Sequence, residues 1–196
     1  MLRSICIRRF FWLKNQERII VTSPYHTSAA RASVCSGCTT YWRRKPRLIG
    51  LFSRIQIPIL VLFCFKWDQK QLQDLYLIAI VHRRDVKSLR DLTSEHLPLL
   101  TNIRSKGEDA IQRQYGIPPR KLCMYLHYQP SYYHLHVHFT SLEFDAPGCR
   151  VERAHLLSDV IQNLQADSSY YRNCSLAFPL RADDGLLLRF KEAGKL

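Results

Sequence analysis

The sequence predicts an α+β domain, an antiparallel sheet with helices packed on it, preceded by a basic segment of irregular structure. Three observations lead to this prediction. From residue 75 onward the chain alternates in the order strand, helix, strand, strand, helix, strand, helix, a pattern typical of helices packed on an antiparallel sheet. Residues 134–138 alternate polar and apolar side chains, as a half-buried strand does. The balance of charge also changes abruptly near residue 66, which marks a boundary.

The formal charge of +13 is confined almost entirely to the first third of the 196-residue chain. Residues 1–66 carry twelve lysines or arginines and one acid, Glu17, whereas the remainder is nearly balanced at +2. A uniformly basic protein would suggest binding to nucleic acid or to an acidic membrane surface. Because the charge is segregated, that interpretation does not extend to the C-terminal two thirds.

Residues 1–65 are therefore treated as a basic, poorly ordered segment and residues 66–196 as the folded domain. The first twenty residues are rich in arginine and poor in acids, which is compatible with a mitochondrial presequence or with a surface-binding stretch. The apolar run at 57–65 has nine residues, too few to span a bilayer, and is expected to form a buried strand or an aggregation-prone exposed segment.

The elements of the domain follow from local signals. Thr93 or Ser94 can cap a helix that has Pro98 in its first turn and ends at Gly116. An apolar stripe predicts a second helix, and a short terminal helix follows a last strand. Strands are expected at 75–81, 121–128, 134–142 and 175–180, and helices at 94–115, 151–164 and 185–193.

The most informative stretch is the alternating run His134-Leu135-His136-Val137-His138. On a strand, side chains at i, i+2 and i+4 point to one face, so the three imidazoles are expected to share a face while the residues between them enter the core. Such a row has three interpretations: solvated histidines without a function, a zinc site using His134 and His136, or nucleophilic catalysis by a neutral imidazole. The zinc interpretation lacks an evident third ligand.

The run HLHVHFT at 134–140 resembles the histidine-triad motif of nucleotide hydrolases and transferases, with Thr140 where the motif prefers an apolar residue. Its surroundings are similar to the C-terminal domain of the scavenger mRNA-decapping enzymes. The stretches that carry this resemblance are LYLIAIVHRRDVKSLRDLTSEHLPLL, YLHYQPSYYHLHVHFTSLEFDAPG, VERAHLL and LRADD. The resemblance extends from about residue 66 to the C-terminus and does not include the N-terminal cap-binding domain of that family.

The resemblance implies a histidine-triad fold and a set of site residues. His136 would be the nucleophile, flanked by His134 and His138, and no metal or cofactor is required because the nucleophile is a side chain. Arg153, expected in the first turn of a helix, would favour an anion through its charge and the helix dipole. The implied substrate-binding residues are Lys66, His127, Pro130, Ser131, Tyr132 and Arg153.

The implied reaction is hydrolysis of m7GpppN cap dinucleotides or short capped oligonucleotides left by 3′-to-5′ mRNA decay. It would release m7GMP through a phosphohistidine-type intermediate. Two alternatives stay open: a less selective dinucleoside polyphosphate or phosphoramidate hydrolase, and a catalytically impaired cap- or nucleotide-binding fragment. The family further implies a homodimer in cytoplasm and nucleus without a membrane partner, while the arginine-rich start leaves the mitochondrion as an alternative location.

Overall fold

The computed structural model describes residues 6–10, 18–23, 54–57, 60–64, 71–181 and 185–192. Within these ranges the strands are β1 (Cys6–Phe10), β2 (Arg18–Ser23), β3 (Arg54–Ile57), β4 (Leu60–Cys64), β5 (Tyr76–Val81), β6 (Leu122–His127), β7 (His136–Ser141), β8 (Ala154–Leu156) and β9 (Leu176–Arg181). The α-helices described there are α1 (Leu97–Tyr115), α2 (Leu157–Ala166), α3 (Tyr170–Asn173) and α4 (Gly185–Glu192).

The main sheet has six strands in the order β3-β4-β5-β7-β6-β8, and every neighbouring pair is antiparallel. A second antiparallel sheet contains β1, β2 and β9. The α+β prediction is confirmed. Strand β7, which carries two of the three predicted histidines, lies between β5 and β6 and is therefore held by ladder hydrogen bonds on both sides.

The alternation along β7 separates two faces as predicted. Val137 and Phe139 are completely buried, and Leu135 just before the strand is 2% exposed. Helix α1 covers this face at Gly107, where a Cβ atom would lie 2.5 Å from Cζ of Phe139. The absence of a side chain at this position lets the helix approach the sheet closely, and the opposite face is left to the histidines.

The start of α1 is preceded by two short 3₁₀ turns, at Leu89–Asp91 and Ser94–His96. Thr93 forms a reciprocal capping arrangement with His96 ahead of the helix. Pro98 lies in the first turn, and Gly116 ends the helix with a φ of 69° in the left-handed region, both as predicted. The helix begins three residues later than predicted because the chain first makes these tighter turns.

The helix predicted at 151–164 begins only at Leu157. Residues 154–156 instead form β8, which pairs with β6 at the edge of the main sheet. The apolar spacing there also fits a helical stripe, but the open edge of β6 supplies hydrogen-bond partners that a local pattern does not reveal. Helix α3 was not predicted, whereas β9 and α4 lie close to their expected positions.

Four of the strands lie within residues 1–65, and β4 lies in the apolar run at 57–65. Whether this run is a buried strand or an exposed segment stays a prediction. Most of residues 1–65 lie outside the described ranges. The assignment of 1–65 as a poorly ordered segment separate from 66–196 stays a prediction.

Candidate active site

His136 is the first residue of β7, and one of its ring nitrogens is hydrogen-bonded to the backbone. Its Nδ1 lies 2.7 Å from the backbone carbonyl oxygen of His134. A carbonyl oxygen can only accept, so Nδ1 carries the proton and Nε2 keeps its lone pair. Burial lowers the pKa of His136, which favours the neutral ring at physiological pH. The site thus presents an unprotonated imidazole nitrogen, the form required of a nucleophile.

His138 lies two residues further along the same face and is only 3% exposed. Its ring centroid is 5.1 Å from that of His136, and it stacks on Tyr125 of β6 at the same distance with an interplanar angle of 11°. Nδ1 is hydrogen-bonded to the hydroxyl of Tyr76 at 3.0 Å. Burial, aided by the neighbouring His127 and His136, holds the pKa of His138 well below its usual range, so this ring is also neutral.

His134 does not lie on the strand, and the prediction that all three histidines alternate along one strand is wrong for this residue. It lies in the bend before β7, where its Nε2 is 2.7 Å from the carbonyl oxygen of Val81. The Leu135 carbonyl accepts from the Val81 N–H in continuation of the β5–β7 register, but the Leu135 N–H donates to the Val86 carbonyl, so the ladder ends there. The backbone carbonyl of His134 accepts a hydrogen bond from His136, and the His134 ring is hydrogen-bonded to Val81, the last residue of β5.

A shallow surface hollow, open to solvent, lies beside His136. The hollow is lined by Lys87, Ser88, Leu89, Leu126, His127, Pro130, His134, Leu135 and His136. The structure therefore brings the predicted residues His127, Pro130, His134 and His136 together.

His127 ends β6 and extends the row of imidazoles, with its ring centroid 4.1 Å from that of His138. Its Nε2 lies 3.0 Å from the carbonyl oxygen of Gly148. Burial, and secondarily the positive charge of Arg153, lowers the pKa of His127 to about 4. Gly148 has a φ of 86°, and a Cβ there would lie 2.8 Å from Nε2 of His127, so the loop can hold this ring only with glycine at that position.

Arg153 lies close enough to His127 to influence its pKa, but not where the helix-dipole argument placed it. It occupies the turn before β8, four residues ahead of the first residue of α2. Its carbonyl oxygen accepts a hydrogen bond from the backbone of Tyr128. The prediction of a helix N-terminus at this residue is wrong, and a contribution to anion binding would come from the guanidinium itself.

Of the remaining predicted residues, Ser131 and Tyr132 are not among those that line the hollow. Ser131 is exposed and Tyr132 half-buried in the bend that leads to β7, and their contact with phosphate stays a prediction. Lys66 lies outside the described residues. Sequence reasoning missed Lys87 and Ser88 on the hollow and Tyr76 beneath His138. The stretch VKSLRD carries no pattern that indicates its position, and Tyr76 could be found only from the pairing of β5 with β7.

Two further observations concern the described residues alone. In those ranges no group of three histidine, cysteine or acidic side chains is placed to hold a metal ion. Among the same residues, no helix has the length and apolar character needed to cross a membrane.

An antiparallel sheet whose central strand presents His136 and His138, with His134 bonded through its carbonyl to the first of them, defines a domain of the histidine-triad class. Residues 60–154 match the family model described as "Scavenger mRNA decapping enzyme C-term binding". Residues 60–154 are thus similar to the C-terminal domain of the scavenger decapping enzymes.

Curated relatives with the name m7GpppX diphosphatase agree with this assignment. The chain is 62% identical over 128 residues to the protein from Bos taurus, which is 65% of this chain and 38% of the relative. It is 46% identical over 130 residues to that of Caenorhabditis elegans, or 66% of this chain and 42% of the relative. It is 42% identical over 114 residues to the protein from Schizosaccharomyces pombe, which is 58% of this chain and 38% of the relative. The chain thus spans roughly two fifths of the length of these relatives.

Proposed function

We propose that this chain hydrolyses m7GpppN cap dinucleotides and short capped oligonucleotides that remain after 3′-to-5′ mRNA decay. The observation that carries the proposal is the hydrogen bond from Nδ1 of His136 to the His134 carbonyl. It leaves Nε2 of His136 with a free lone pair, and His136 lines a shallow hollow that is open to solvent. The names of the relatives supply the substrate class.

The reaction has two steps. In the first, Nε2 of His136 attacks the phosphorus attached to the methylguanosine, a nitrogen–phosphorus bond forms, and the bridging phosphorus–oxygen bond breaks. Its electron pair leaves with the nucleoside diphosphate. In the second, a water oxygen attacks the same phosphorus, the nitrogen–phosphorus pair returns to Nε2, the water loses a proton to solvent, and m7GMP leaves.

Neutral imidazoles suit both steps. Imidazole is a competent nucleophile at pH 7, where a lysine would be charged and a serine would need a strong base. The low pKa values of His136, His138 and His127 keep the cluster uncharged until the substrate arrives. Lys87 on the hollow and Arg153 beside His127 can then offset the phosphate charge, the usual role of such side chains.

A second candidate function follows from the same His136 geometry, which concerns attack on phosphorus and not recognition of the methylated base. The chain could therefore hydrolyse dinucleoside polyphosphates or phosphoramidates without cap selectivity. A cap- or nucleotide-binding fragment with impaired catalysis is the remaining alternative. We also propose a homodimer and a location in cytoplasm and nucleus, with the mitochondrion as the alternative, on the resemblance to the family and on the arginine-rich start.

The proposal is tested by incubating the purified chain with m7GpppG and GpppG. A His136→Asn variant removes the nucleophile, and His82→Asn, at an exposed histidine outside the hollow, serves as the matched control. We expect turnover of m7GpppG by the wild type and His82→Asn and none by His136→Asn. After acid-free quenching, His136 of the wild type should carry m7GMP through a nitrogen–phosphorus bond.

Each outcome distinguishes the candidates. Preference for m7GpppG supports the decapping function, and equal turnover of both dinucleotides supports the less selective hydrolase. Binding without turnover supports the impaired fragment. Activity that persists in His136→Asn would overturn the assignment of the nucleophile.

A further inference from the structure

A buried tyrosine beside His138 has no role in the reaction described above. Tyr76, the first residue of β5, is 6% exposed, and its hydroxyl lies 3.0 Å from Nδ1 of His138. In the β5–β7 register Ile78 is opposite His138, so Tyr76 is its diagonal neighbour on the same face. Diagonal pairs in antiparallel sheets are within reach of aromatic side chains.

We propose that Tyr76 is a positioning residue that donates its hydroxyl proton to Nδ1 of His138 and thereby fixes the tautomer with the proton on Nε2. In that tautomer His138 offers a hydrogen-bond donor to the phosphate that His136 attacks. The inference rests on the proposed function and adds the residue that sets the state of the third histidine of the triad.

The first support is the chemistry of the two partners. A neutral imidazole has one donor and one acceptor nitrogen, and His138 is neutral because burial lowers its pKa. Burial raises the pKa of Tyr76 to about 12, so the phenol keeps its proton. A protonated phenol beside a neutral imidazole satisfies both groups when the phenol donates to Nδ1.

The second support is the environment of the other nitrogen. Nε2 of His138 is buried and has no hydrogen-bond partner among the described residues. The two ring nitrogens lie on different edges of the imidazole, and Nδ1 is directed to Tyr76 on β5. The ring lies against His136 and His127, at centroid distances of 5.1 and 4.1 Å. With the proton on Nε2, this nitrogen would be a donor for an anion that reaches the histidines, whereas a bare lone pair would repel that anion.

The third support is the restraint on the ring. His138 stacks on Tyr125 with an interplanar angle of 11°, and the ring of Tyr76 is 5.7 Å away on the opposite neighbouring strand. The tilt of the His138 ring is therefore limited by packing on both sides. Packing alone does not select between the two tautomers, and in the proposal the selection comes from donation by the Tyr76 hydroxyl to Nδ1.

The experiment uses Tyr76→Phe, which removes the hydroxyl and keeps the ring, with Tyr170→Phe as the matched control at a more exposed tyrosine outside the site. Long-range ¹H–¹⁵N NMR on the free chain reads the tautomer of His138. We expect an Nε2–H signature in the wild type and the control, and a mixture of tautomers in Tyr76→Phe. With m7GpppG, kcat of Tyr76→Phe should fall about tenfold, the effect of losing one hydrogen bond made in the transition state, while KM changes less than about twofold.

The wild-type spectrum alone can overturn the proposal, because a proton on Nδ1 of His138 would make Tyr76 the acceptor. An unchanged tautomer and unchanged kcat in Tyr76→Phe would also overturn it. If the wild type shows the Nε2–H signature but hydrolyses no capped dinucleotide, the proposed function fails and the tautomer assignment stands.

Discussion

Gly107→Ala tests the close packing of α1 on the strand that carries the histidines. A Cβ at this position would lie 2.5 Å from Cζ and 2.6 Å from Cε1 of Phe139. Carbon atoms pack at about 3.5–4.0 Å, so the helix and the ring must separate by about 1 Å. Phe139 is fully buried, and its ring has no solvent-facing side to move into.

The expected magnitude is the difference of two effects. Overpacking a dense core costs about 1–3 kcal/mol, and two overlaps of this size on a buried ring place the cost near the upper end. Replacing glycine by alanine inside a helix contributes about 1 kcal/mol of stability. We therefore expect Gly107→Ala to lower the free energy of unfolding by about 2 kcal/mol.

Urea denaturation measures the loss as a lower midpoint at an unchanged m-value. A double-mutant cycle with Phe139→Leu identifies the cause, because Gly107→Ala should be neutral or stabilising by up to about 1 kcal/mol once the ring is absent. If Gly107→Ala stabilises the protein equally in both backgrounds, the argument from close packing is wrong.

Two further predictions concern the imidazole cluster. Gly148→Ala should lower turnover of m7GpppG about tenfold or more, because its Cβ would displace His127 and its φ of 86° disfavours a side chain. The control is Gly116→Ala, which has a φ of 69° and no atom within 4 Å of its Cβ, and which should lose stability without losing activity. Equal activity losses in the two variants would contradict this prediction. Acidification should lower the melting temperature from about pH 6.5 downward, because the unfolded chain binds protons that the low folded-state pKa values of His136 and His138 exclude. Each of these histidines contributes a slope of about 1.4 kcal/mol per pH unit until its folded pKa is reached, and a melting temperature that is flat between pH 7 and 5 would refute it.

The side chains that face the core were predictable from the sequence because alternation is a local property. Leu135, Val137 and Phe139 are buried as their spacing indicates, and the histidine face follows from the same period of two. The helix limits set by Pro98 and Gly116 were likewise encoded in single residues with restricted backbone angles.

The features that were missed depend on pairing between distant segments. His134 lies outside the strand because the ladder ends at Leu135, whose N–H donates to the carbonyl of Val86, more than forty residues away in the chain. Arg153 precedes a strand rather than opening a helix because β8 adds to the edge of β6. Tyr76 meets His138 only through the β5–β7 register. Strand registers of this kind cannot be derived from a local sequence pattern. The histidines of the site could therefore be predicted, but the hydrogen bonds that connect them to other strands could not.

The pairing of β4 with β5 determines where the part of the chain that carries the histidines can be separated from the rest. A fragment cut at residue 66 would retain His127, His134, His136 and His138 but lose the strand that bonds to Leu77–Val81. The apolar edge left behind would present unpaired backbone groups, which in other proteins recruit further strands and lead to self-association. Fragments for expression should therefore begin upstream of Arg54, so that the supporting strand of the third histidine keeps its neighbour.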